Sequence, residues 1–140
     1  FAEFEWEIHK RAEADEPLTQ ESLCAIFGEL FGRFYGPELV HDKLNDYGWS
    51  RIPHFYYNFY VYQYATGYAA ASALAQRIRK EGAPALEPYL EFLKSGSAAY
   101  PIELLARAGV DMTQPQPVVD TISLFDGLLG KMEELLTDVS

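Results

Sequence analysis

The chain has 140 residues, an apolar share of 49%, 23% charged residues and a formal net charge of −10. That length is one ordinary domain, and the composition excludes a disordered or fibrous chain. The negative balance, with no basic cluster larger than Arg77-Ile-Arg-Lys80, excludes a nucleic-acid binder reading phosphates through a basic patch.

Cys24 is the single cysteine, so no internal disulfide forms, and its place in a helical apolar pattern predicts a buried structural thiol in a reducing compartment. No apolar run approaches the roughly 20 residues a spanning helix needs, and the expected location is cytoplasmic. Phe1-Ala-Glu-Phe-Glu-Trp-Glu-Ile-His9 opens without an initiator Met or a cap, as a piece of something larger would. Phe1, Phe4 and Ile8 recur at helical spacing until Pro17 stops the first helix. Thr19 predicts the N-cap of a second helix, whose apolar positions Leu23, Ile26, Phe27, Leu30, Phe31 and Phe34 run to Gly36-Pro37. The segment from Asp42 to Ser50 reads as a loop, with one short helical turn expected at Glu38 to His41.

Phe55 to Tyr68 holds eight aromatic rings directly behind His54. Buried phenols each need a hydrogen-bond partner that Phe or Leu would not, so several of these hydroxyls are expected to serve a polar network or a ligand. Tyr60-Val-Tyr62-Gln-Tyr64 alternates like a strand, yet Ala65 to Arg79 is rich in strong helix formers with only Gly67 between. The prediction is one long helix from about Phe55 to Arg79, with Tyr57, Tyr60, Tyr64 and Gly67 on one face and Phe55, Phe59, Tyr62 and Ala69 on another. Further helices are expected over Ala83 to Lys94, from Pro101 to Ala108, and from about Pro117 to Thr137. The fold class is all-α, a compact multi-helix bundle over residues 1–140 as a single domain.

No His-Glu-x-x-His, Cys-x-x-Cys, Gly-x-Ser-x-Gly or phosphate loop occurs. Glu5 and His9, one turn apart, read as a surface pair and His41 as a solvated side chain. Pro53 fixes the backbone before His54 and aims its ring toward whatever the tyrosines face.

Arg51-Ile-Pro-His-Phe-Tyr-Tyr-Asn-Phe-Tyr-Val-Tyr-Gln-Tyr-Ala-Thr-Gly67 resembles the signature of the oligoendopeptidase F branch of the thimet-oligopeptidase-like zinc metallopeptidases. The Phe1-Ala-Glu-Phe-Glu5 opening, Tyr47-Gly-Trp49, Tyr100-Pro-Ile-Glu-Leu-Leu105, Ala108-Gly-Val-Asp111 and the last helix are similar to the C-terminal end of that family. The resemblance implies a peptidase of short peptides, a fragment of a larger α-helical zincin-type domain. It implies zinc held by two histidines of a His-Glu-x-x-His helix and a downstream glutamate, all N-terminal to the matched region, so this chain is expected to bind no zinc and to be inactive alone. What it would contribute is the substrate wall. Tyr62 matches the donor to the scissile carbonyl, His54 and Tyr57 are companion carbonyl binders, and Tyr56, Tyr60 and Tyr64 line the cleft or serve the bundle; Phe55 and Phe59 are packing residues. The implied partners are peptide substrates and the missing N-terminal part, with self-association through an uncovered aromatic face. The alternative is a stand-alone, metal-free helical module that binds peptides or another protein.

Overall fold

The computed structural model describes residues 1–137 and is all-α, with no strand among the described residues. Helices α1 (Ala2–Glu13), α2 (Gln20–Tyr35), α3 (Tyr62–Glu81), α4 (Ala83–Lys94), α5 (Pro101–Arg107) and α6 (Gln116–Thr137) are joined by loops, and 3-10 helices cover Lys43–Arg51 and Pro53–Tyr56. Two compact units divide the chain at Gln63, the first ending just after α3 begins.

In the first unit, the 3, 4 spacing of α1 sets Phe4 and Ile8 against Leu23, Ile26, Phe27 and Leu30 of α2. Phe4 meets Phe27 edge-on at 5.3 Å, a geometry that suits the ring quadrupoles, and Phe55 in a tilted contact at 5.0 Å. Phe55 is therefore a core residue, as expected. The N-cap of α2 is the one the sequence predicts: the Thr19 hydroxyl accepts from the Ser22 amide at 3.2 Å, and the Ser22 hydroxyl accepts from the Thr19 amide at 2.9 Å. Such a reciprocal cap stabilises a helix start by about 1 kcal/mol.

The expected turn at Glu38 to His41 is absent, and the helical geometry lies at Lys43–Arg51 instead. Its start is fixed by Asp42, whose carboxylate accepts from the Leu44 amide at 2.9 Å. Contact with α2 then holds it, and Gly48 permits that approach, since a Cβ there would lie 2.8 Å from the Phe27 ring. The Trp49 indole N–H donates to Cys24 Sγ at 3.4 Å, which gives the half-buried thiol its structural place. His41 is not simply solvated either. Its Nε2 lies 2.7 Å from Asp46 Oδ1, without hydrogen-bond alignment, and its ring stacks on Phe31 at 4.9 Å.

The single long helix expected from Phe55 to Arg79 is broken. A 3-10 helix ends at Tyr56, a turn follows, and α3 starts at Tyr62. The turn contains Phe59 at φ 52, a left-handed backbone that a bulky side chain adopts only when its surroundings hold it there. That conformation costs roughly 1–2 kcal/mol. The shared helical face drawn for Tyr57, Tyr60 and Tyr64 therefore does not exist.

In the second unit, Leu74, Ala108 and Val110 form a buried cluster with Tyr89, Phe92, Leu105 and Met112 around it, and Ala69 and Ala70 are buried on α3. The Arg77 guanidinium donates to the Ala108 carbonyl at 2.6 Å where α5 ends, and Gly109 follows at φ 87. Its α6 carries an apolar stripe, Ile122, Phe125, Leu128, Leu129 and Met132, that stays exposed.

Candidate functional site

His54 lies one residue after Pro53 in the second 3-10 helix and is half-buried. Its ring stacks on Tyr60 at 5.7 Å with the planes 14° apart, and Tyr60 meets Tyr57 edge-on at 5.9 Å. The break in the helix makes this cluster possible, because residues six apart on a continuous α-helix point about 120° apart. Three of the predicted site residues are thus brought together, by a turn that the sequence reading did not foresee.

The other three behave differently. The Tyr56 hydroxyl donates to the Ser50 carbonyl at 3.3 Å, so it helps tie the two 3-10 helices together. Tyr62 sits at the first residue of α3, half-exposed. Tyr64 opens the second unit and is exposed as well. Tyr57 is 62% exposed, which leaves its ring open to solvent and within reach of an incoming ligand.

Helix α1 holds two surprises. Glu5 is not a surface residue: it is 1% exposed, with Oε1 lacking a hydrogen-bond partner. His9 is half-buried and stacks on Phe59 at 4.1 Å, planes 29° apart. The positions 1, 5 and 9 form one helical stripe headed by Phe1, and that spacing was the available signal that Glu5 and His9 face inward. Among the described residues no three His, Cys, Asp or Glu side chains gather so as to hold a metal ion.

A match to Peptidase family M3 covers residues 1–124. The chain belongs to peptidase family M3. Within that family it is 53% identical over 139 residues to Oligopeptidase PepF of Bacillus subtilis (strain 168), a match covering 99% of this chain and 21% of that protein. It is 45% identical over 136 residues to the plasmid Oligoendopeptidase F of Lactococcus lactis subsp. cremoris, covering 97% and 23% of the two chains. The crystal structure of oligoendopeptidase-F from Enterococcus faecium superposes with a TM-score of 0.87 at 48% identity, covering 97% of this chain and 26% of that one. This M3 chain thus spans about a fifth to a quarter of the length of the relatives it matches, and its helical fold is theirs over that span.

Proposed function

We propose that this chain is the C-terminal, substrate-binding part of the catalytic domain of a zinc-dependent oligopeptidase that hydrolyses short peptides. The observation that carries the reading is the His54–Tyr60–Tyr57 ring cluster in a chain of the M3 family, with a half-exposed Tyr62 two residues further along the chain. A tyrosine hydroxyl keeps its proton at neutral pH, having an ordinary pKa of about 10, and can donate to a carbonyl oxygen as negative charge develops there. Tyr62 is the donor in this reading. His54 and Tyr57 hold carbonyls of the peptide backbone, and Tyr60 orients His54 through the stack. Tyr56 has a hydroxyl already engaged with Ser50 and serves the scaffold.

In this reading the zinc on which family M3 peptidases depend is held by the remainder of the enzyme. The test is Tyr62→Phe in a full-length enzyme, formed by joining this sequence to the part of the Bacillus subtilis relative that it does not match. The rate constant kcat should fall on the order of 10²- to 10³-fold with KM little changed. A lower thermal midpoint with unaltered kinetics would instead assign Tyr62 to packing. The metal-free module reading predicts peptide binding by this chain alone that Tyr62→Phe leaves intact.

A further inference from the structure

A phenylalanine rarely adopts a left-handed backbone, yet Phe59 sits at φ 52 in a turn that the Tyr60 amide closes by donating to the Tyr57 carbonyl at 2.9 Å. The Phe59 ring also stacks on His9, which belongs to α1, a helix far earlier in the chain. That contact is ring packing. The carboxylate one turn before His9, Glu5, has its Oε1 buried with no hydrogen-bond partner, so it forms no Oε1 hydrogen bond to the imidazole.

Phe59 directly precedes Tyr60, whose ring stacks on His54. We infer that His9 is a positioning residue: through Phe59 it holds the turn that stacks Tyr60 on His54 and so sets the shape of the peptide-binding segment. The functional half of this inference rests on the substrate role proposed above, and the structural half does not. His9 then acts from α1 on groups that it does not itself touch. Its imidazole serves as a flat ring rather than as an acid, a base or a metal ligand.

Two readouts separate these halves. In this chain, nuclear Overhauser contacts between the His54 and Tyr60 rings should vanish in His9→Ala and persist in His9→Phe, which keeps a flat ring against Phe59. In the joined full-length enzyme, His9→Ala should lower kcat on the order of tenfold with little change in KM, and His9→Phe should restore it. Phe59→Gly adopts the left-handed turn without support, so adding His9→Ala to it should change nothing further. Ring contacts that survive His9→Ala overturn the inference. So does equal damage from His9→Ala and His9→Phe, which would mean that imidazole chemistry matters, and so does an unfolded first unit in His9→Ala, which would make His9 a folding residue. Lost ring contacts with unaltered kinetics would leave the turn argument standing and sink the substrate reading of the segment.

Discussion

Gly109→Ala should destabilise the second unit by two mechanisms that can be measured apart. At φ 87 an added methyl group meets left-handed strain of roughly 1–2 kcal/mol. A Cβ there would also fall 1.3 Å from Arg77 Nη1, so the guanidinium must leave. Its departure removes the 2.6 Å bond to the Ala108 carbonyl, a charge-assisted bond of the kind that contributes about 1.5–3 kcal/mol. Together the loss is about 2.5–5 kcal/mol, which urea unfolding followed by far-UV circular dichroism resolves easily. Arg77→Ala alone should show the hydrogen-bond part. In the Arg77→Ala background, Gly109→Ala should then show only the strain, about 1–2 kcal/mol. The coupling between the two sites should thus be about 2 kcal/mol. Equal cost of Gly109→Ala in both backgrounds would refute the collision.

Gly48→Ala should destabilise the first unit by about 1–3 kcal/mol, because its methyl group must displace the Phe27 ring 2.8 Å away, and Phe27→Leu should recover part of that loss in a thermal melt; no change would mean that the 3-10 helix simply shifts. The Thr113 hydroxyl, at 2.6 Å, and the Thr113 amide hold the Asp111 carboxyl below its usual pKa. A folded pKa depressed below the unfolded value of about 3.9 stabilises above that value and is lost as pH falls through the folded one. The midpoint difference between wild type and Asp111→Ala should therefore shrink below about pH 4, and a difference undiminished at that pH would contradict the carboxylate's role. Finally, the isolated chain with added zinc should hydrolyse no peptide, since no three ligands gather among the described residues, and turnover above a matched blank would reverse that expectation. Its exposed rings and α6 stripe should make it self-associate in sedimentation experiments, which a strict monomer at high concentration would contradict.

Where local chemistry decided the outcome, the helices could be read directly. The Thr19 cap, the Ala83–Lys94 limits of α4 and the Pro101 start of α5 all follow from residues within a few positions of the boundary. The misread segments both make contacts outside their own stretch of chain. Lys43–Arg51 packs against α2, and the turn at Phe59 stacks on His9 of α1. Propensity over Phe55 to Arg79 favours a helix, so nothing local announced a left-handed phenylalanine. For the site, the residue types were legible and their arrangement was not: His54, Tyr57 and Tyr60 do converge, but by a fold-back rather than along one helical face. Glu5 and His9 were misplaced because charged and polar side chains on a helix usually face water.

The aromatic contacts of the first unit also bear on how it folds. Phe1 meets Phe55 at 5.9 Å, Phe4 meets Phe55 at 5.0 Å, and His9 meets Phe59 at 4.1 Å, so each contact ties the opening helix to a segment that the chain reaches only after α2 and a 3-10 helix. Closing loops of that length is entropically unfavourable before any reward arrives, with each doubling adding about 0.6 kcal/mol. We expect α2 and the 3-10 helix beside it to form early and the ring cluster around His54 to set late, once α1 has docked. Substitutions in that cluster should then speed unfolding while leaving the refolding rate nearly untouched.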